Sequence, residues 1–186
     1  MSGLSITMRR TTGFTLIELM IALAILAILV FIALPSYTIW MQNTQIRTGA
    51  EGILSGLQLA RAEATRRNTS VELRMNAASG WTVTVLGTGE VVQSRVAEEG
   101  SKTATVTILP AGANKVTFSG VGRVVANGDA TPPITEIKVD SLVIPAAESR
   151  ELCVTVSGAG VVRVCDPKIA AGDPRACVPA VPPGCL

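Results

Sequence analysis

Between Leu19 and Leu34 the chain carries sixteen consecutive apolar residues and no charge. Phe14 to Leu34 is 21 residues, a helix of about 31 Å, close to a hydrocarbon core of roughly 30 Å. Fourteen of the 21 are Leu, Ile, Val or Phe, so insertion is favoured by on the order of 4–8 kcal/mol, an upper bound because flanking positions count for less. One acid, Glu18, stands just before the run; at the membrane centre it would cost about 2.5–3.5 kcal/mol, and less near the interface. A secretory signal has an apolar core of only about 7–15 residues and a small-residue cleavage site. Here the run ends Ile32-Ala33-Leu34-Pro35-Ser36. A plain anchor leaves Glu18 unexplained, because an acid in a span usually has a partner.

The residues around that acid are specific. Gly13-Phe14-Thr15-Leu16-Ile17-Glu18, behind a leader containing Arg9 and Arg10, closely resembles the prepilin-peptidase site of type IV pilin-like proteins. The resemblance implies cleavage between Gly13 and Phe14 on the cytoplasmic side and N-methylation of Phe14. It also implies that Glu18 forms an assembly salt bridge with the positive N-terminus of a neighbouring subunit. Such a pair attracts strongly in a low dielectric but pays desolvation, so it fixes register more than it adds stability. The leader arginines fit a cytoplasmic N-terminus, with the remainder beyond the inner membrane.

Removing residues 1–13 leaves 173 residues, enough for one helix and one modest domain. Without Arg9 and Arg10, the basic and acidic residues balance at 14 each, so the charge gives little support for nucleic-acid binding. The chain has no histidine, which removes Ser-His-Asp and Cys-His catalysis and histidine metal sites. No convincing acid pair or phosphate loop occurs either. The expectation is a non-enzyme with no catalytic residues, no metal and no cofactor.

Past Pro35, where a kink is expected, Ile39, Asn43, Ile46, Ala50, Ile53, Leu57, Ala60 and Ala64 alternate spacings of four and three. That stripe predicts an amphipathic helix continuing to about Arg67. Gly49, Gly52 and Gly56 weaken it by about 1 kcal/mol each relative to alanine; either the stripe packs closely against the C-terminal domain, or the stretch can unwind. Arg61, Arg66 and Arg67 near its end read as a solvated face or as local ion pairs with Glu63. The wording Leu59-Ala-Arg61-Ala-Glu63-Ala, then Val71-Glu-Leu73 and Gly80-Trp81, resembles the GspH/FimT branch of the pilin-like family.

From Val71 the period drops to two. Strands are predicted at Val71–Met75, Trp81–Leu86, Val91–Val96, Thr105–Leu109, Val116–Phe118, Val121–Val125, Ile134–Val139, Leu142–Ile144, Leu152–Val156 and Val161–Cys165. Trp81 and Phe118 are expected core anchors. Gly120-Val-Gly122 and Gly158-Ala-Gly160 each lack the third glycine of a dinucleotide fingerprint and lead into valine-rich strands, so they read as hairpin turns. The fold class is α+β: residues 1–13 a leader, 14–67 a long pilin-like helix (14–34 transmembrane, 35–67 amphipathic), 68–165 a small antiparallel sandwich-like β domain, and 166–186 a proline-rich tail.

Cys153, Cys165, Cys177 and Cys185 contain no C-x-x-C, and an even count in an exported chain favours two disulfides. If Val156 pairs with Val161 across the last hairpin, Cys153 and Cys165 fall on opposite faces and cannot bond to each other. Among the three connectivities the reading favours Cys165–Cys177 with Cys153–Cys185. The run Arg163-Val-Cys165-Asp-Pro167, followed by Asp173-Pro-Arg175-Ala-Cys177, resembles the C-terminal end of minor type IV pilins in this branch.

The expected function is a minor type IV pilin that helps initiate pilus assembly at or near the tip. Its partners are prepilin peptidase, other major and minor pilins through the N-terminal helix, and the inner membrane before assembly. A minor pseudopilin of a type II secretion system is the first alternative. A DNA-binding minor pilin for natural transformation is the second: some family members use a Gly-Arg-x-Arg turn, and Gly160-Val-Val-Arg163 here lacks the first arginine. Arg163, Lys168 and Arg175 are the candidate contacts, with Asp166 and Asp173 between them; DNA is the less favoured partner.

Overall fold

The computed structural model describes residues 13–178 and 182–185; the leader expected at 1–13 therefore lies, apart from Gly13, outside the described residues. One helix, α1 (Leu16–Arg67), contains Pro35 without interruption. The chain divides into two compact units after Thr38.

In the first unit Thr15 caps the helix: the Glu18 N–H donates to Thr15 Oγ1 at 3.2 Å and the Leu19 N–H to the Thr15 carbonyl at 3.1 Å. Thr15 and Glu18 thus stand at the two positions of an S/T-x-x-E capping box, and an acid in the first turn complements the helix dipole. Pro35 has no N–H to donate to the preceding turn, and Thr38 Oγ1 donates to the Pro35 carbonyl at 2.8 Å. Every side chain from Gly13 to Thr38 is exposed. By length and a mean hydropathy of 3.0, this end of α1 meets the requirement for crossing a membrane.

Among the described residues, the second unit holds Ile39 to Arg67 of α1 and nine strands: β1 (Val71–Met75), β2 (Trp81–Val85), β3 (Val91–Arg95), β4 (Ala104–Leu109), β5 (Lys115–Phe118), β6 (Val124–Val125), β7 (Glu136–Ser141), β8 (Leu152–Val156) and β9 (Val162–Cys165). They form two antiparallel sheets, ordered β3-β2-β1-β5-β6 and β4-β7-β8-β9. Ile46, Ala50, Ile53, Leu57, Ala60 and Ala64 of the predicted stripe are buried in one core with both sheets, beside Trp81 and Phe118. The stripe's three glycines are buried too, and they resolve the choice between close packing and unwinding. A Cβ on Gly56 would come within 2.6 Å of the Trp81 ring, and one on Gly52 would overlap the Arg95 guanidinium. The glycines let a ring and a guanidinium lie against the helix backbone, where Arg95 donates to the Thr48 carbonyl at 3.3 Å.

Three expectations need correction. Leu142–Ile144 is a loop: Asp140 accepts from the Ser141 N–H and the Ser149 hydroxyl, turning the chain out of β7. The strand expected at Val121–Val125 shrinks to Val124–Val125, because Val121 lies in a turn closed by Gly122 N–H to the Ser119 carbonyl at 2.7 Å, with Gly122 at φ +74°. The last hairpin pairs Val156 with Val162, not Val161. Its turn includes Gly160 at φ +78°, a glycine in the left-handed region that closes the loop. The register is displaced by one residue and brings Cys153 opposite Cys165 on the same face.

The disulfides nevertheless follow the favoured connectivity, Cys153–Cys185 and Cys165–Cys177, with Cα separations of 5.9 and 4.9 Å. Cys153 and Cys165 thus share a face, contrary to expectation, yet each bonds to a cysteine of the tail. Both bonds tie the tail to the end of the second sheet. The short 3-10 turn Pro183–Cys185 is fixed there by Gly184 N–H to Glu136 Oε2 at 2.9 Å.

Candidate functional site

Gly13 and Phe14, the pair expected to form the processing junction, lie in the non-helical residues just ahead of α1. Gly13 has open space around it, Phe14 is 84 % exposed, and Glu18 lies exposed in the first turn. Non-helical backbone beside a capped helix is a conformation a peptidase can engage. A chain beginning at Phe14 would keep Thr15 as its cap. The capping role of Thr15 was legible in T-x-x-E, a signal overshadowed by the stronger cleavage motif.

A second constellation lies where α1 enters the globular unit. Gln42 Oε1 accepts from Thr103 Oγ1 at 2.6 Å and Ser141 Oγ at 2.9 Å, and Gln45 Oε1 accepts from the Thr103 N–H at 3.0 Å. Asn43 Nδ2 donates to the Glu148 carbonyl at 3.0 Å, while its Oδ1 accepts from the Arg150 N–H at 2.8 Å. Three amides within four residues (Gln42, Asn43 and Gln45) thus clasp the end of β7 and two loop segments onto one helical turn. Asn43 is the polar member of an otherwise apolar stripe, and that exception marked the clasp in the sequence.

At the other end of the helix, Arg66 and Arg67 both pair with Glu63, at 2.6 and 2.8 Å, and Arg67 also reaches Glu90 at 2.6 Å. These guanidinium hydrogen bonds hold the Glu63 carboxyl down at about 2. Arg61 instead donates to the Gly122 carbonyl at 3.2 Å. A Cβ on Gly160 would meet that same carbonyl at 1.9 Å, so the two Gly-x-Gly turns pack on each other beside Arg61. Lys115 is buried between Asp129 at 2.6 Å and Glu72 at 3.3 Å, and its hydrogen bond to Asp129 raises its pKa. Sequence reading gave no sign of this buried lysine, since Glu72 and Lys115 sit on neighbouring strands far apart in the chain.

The cations proposed for DNA are not equivalent. Lys168 Nζ donates to the Ala146 and Ser149 carbonyls at 2.7 and 2.8 Å. Arg175 pairs with Asp173 at 3.0 Å, which lowers the Asp173 pKa to about 2. Arg163 stands exposed on the edge strand β9. The three do not form an uncompensated patch. Among the described residues, no group of three or more Cys, Asp or Glu side chains is placed to hold a metal ion.

The model of the family described as type II transport protein GspH matches residues 49–160, well over half of the chain. The chain belongs to the GspH family. The prokaryotic N-terminal methylation motif matches residues 8–34, which include Gly13, Phe14 and Glu18. The GspH match takes in the three packed helix glycines and both Gly-x-Gly turns; Arg163, three of the four cysteines and the tail lie beyond it. Two crystal structures of the Pseudomonas aeruginosa PAO1 type IV minor pilin FimU, in space groups P21 and P65, are similar to the chain at 20 % identity and a TM-score of 0.48. They cover 69 % and 66 % of this chain and 97 % of their own. No curated protein matches.

Proposed function

We propose that the chain is a minor type IV pilin, a structural subunit that helps initiate pilus assembly at or near the tip. The observation that carries this reading is the methylation motif over residues 8–34, set directly on an apolar helix long enough to span a bilayer. Cleavage between Gly13 and Phe14 would free an amine at Phe14 for methylation. The subunit would wait in the inner membrane with its N-terminus cytoplasmic and its β unit periplasmic, then move its helix into the fibre core. Glu18 would pair there with the N-terminus of a neighbouring subunit. We assign no catalytic role and no cofactor.

Deleting the gene should reduce surface piliation and twitching; normal pili and motility in the deletion strain would sink the proposal. The family's description as a type II transport protein favours a second reading, a minor pseudopilin of a secretion system. Loss of enzyme secretion with intact pili would select it. A DNA-binding role draws less support, because Lys168 and Arg175 are already engaged within the chain and phosphate binding draws on uncompensated cations.

A further inference from the structure

Strand β9 is an edge of the second sheet, bonded to β8 on one side. The Val156 N–H donates to the Thr135 carbonyl at 2.8 Å, and the Ser157 N–H to the Val161 carbonyl at 3.0 Å. Successive residues of an antiparallel strand aim their backbone groups to alternate sides. Thr155 and Cys153 therefore turn towards β9, where they meet Arg163 and Cys165, and the N–H and C=O groups of Val162 and Val164 point away from the sheet. Asp166, the next residue of that parity, donates its N–H to the Arg175 carbonyl at 2.8 Å and forms an isolated parallel bridge with Ala176. The tail adds that one rung and stops, because the Arg175 N–H, which would serve Val164, is taken by Asp173 Oδ1 at 2.8 Å. Among the described residues, no backbone partner meets the outward groups of Val162 and Val164.

There is room beside them. Two hollows, of about 470 and 400 Å³, share Leu54, Val164, Cys165 and Pro174, and so run together along this edge between α1 and the tail. A row of open N–H and C=O groups is a template for another polypeptide strand, which binds through its main chain. The charges narrow the occupant. Arg163 stands exposed between the two valines, and Arg150 lines the other hollow; among the described residues neither has an ion pair. The acids nearby are engaged: Glu51 with Arg47 at 2.7 Å, Asp173 with Arg175 at 3.0 Å, and Asp166 Oδ1 with the Lys168 N–H at 2.9 Å. A second copy adding its own β9 antiparallel would set Arg163 opposite Arg163, and like charges directly opposite are destabilising. A carboxylate suits that position.

We propose that the outer edge of β9 is a strand-addition site for an extended segment of a partner polypeptide, paired antiparallel with Val162–Val164 and carrying a carboxylate opposite Arg163. The two valines offer two N–H and two C=O groups to the added strand, and Arg163 selects an acidic segment over a basic one.

The test uses the full chain in detergent and two cyclic hairpin peptides, preorganised as strands, whose free strand reads Thr-Val-Glu-Val-Thr or Thr-Val-Lys-Val-Thr. Amide exchange is followed residue by residue. Without peptide, the Val162 and Val164 amides should exchange fast while those of Arg163 and Cys165 are protected; protection of all four would show the edge already covered and overturn the proposal. The glutamate peptide at millimolar concentration should slow Val162 and Val164 several-fold, and the lysine peptide less. Arg163→Glu should reverse that preference. Val164→Pro removes one outward N–H, at an edge position where proline is tolerated, and should abolish the slowing at Val162. Should that variant fail to fold, Arg163→Glu, at an exposed position, carries the comparison. No slowing by either peptide, or a slowing that Arg163→Glu leaves unchanged, overturns the strand-addition site.

Discussion

Leu16–Thr38 and Ile39–Arg67 are stretches of one helix with opposite relations to the fold. The first is apolar on all sides, and every one of its side chains is exposed. The second is apolar along a single stripe, and that stripe is buried to zero exposure at Ile46, Ala50, Ile53, Leu57, Ala60 and Ala64. A helix apolar all round belongs in lipid or in a core supplied by other chains. The second stretch is held by its own domain, through packed glycines and three amides. The helix therefore joins a self-sufficient unit to a segment that depends on its surroundings, as expected of a subunit that exchanges membrane for fibre.

The largest effect that could break this contrast concerns the disulfides. Replacing Cys153 and Cys185 by serine opens a link across 32 residues and should cost the β unit about 4 kcal/mol. The same change at Cys165 and Cys177, 12 residues apart, should cost about 3 kcal/mol. Denaturant unfolding of the full chain in detergent checks both, and membrane flotation should not change with either.

Next comes Gly56→Ala. Helix propensity alone would stabilise by about 1 kcal/mol. The Trp81 ring, which the new methyl would meet at 2.6–3.0 Å, makes a net loss of about 1–3 kcal/mol the expected result. Ala24→Leu, in the exposed stretch, should leave the same transition unmoved; a stabilised Gly56→Ala variant would show that the stripe is not close-packed. Asn43→Ala, which removes two hydrogen bonds to the 148–150 loop, should cost about 1 kcal/mol and loosen amide-exchange protection there.

The smallest effect is acid dependence. Glu63 and Asp173 have pKa values lowered to about 2 by their arginine partners. Their stabilisation is present above the ordinary carboxylate range and is lost as pH falls through their folded values. A titration should show modest destabilisation between about pH 4.5 and pH 2, reduced in Glu63→Gln.

Much of the fold is legible in the residues themselves. Motif, run length and stripe give the helix to Arg67, and most of the expected strands agree with the observed ones to within two residues at either end. The features that escape depend on single residues acting at a distance. One left-handed glycine, Gly160, accompanies a displaced register that reverses the face of Cys165. Leu142–Ile144 has strand composition, but the Asp140 and Ser141 side chains turn it into a loop. The helix glycines look like weak points because their partners, Trp81 and Arg95, are brought to them only by the fold. Composition cannot reveal such contacts.

If the exposed first stretch is transferred into a fibre, as proposed above, that transfer turns on Glu18. In cells producing Glu18→Ala, the chain should still be cleaved after Gly13 and remain in the membrane fraction, yet be missing from sheared surface fibres, or from the pseudopilus if that is its home. Glu18→Ala subunits present in the fibre at the parental level would contradict the account.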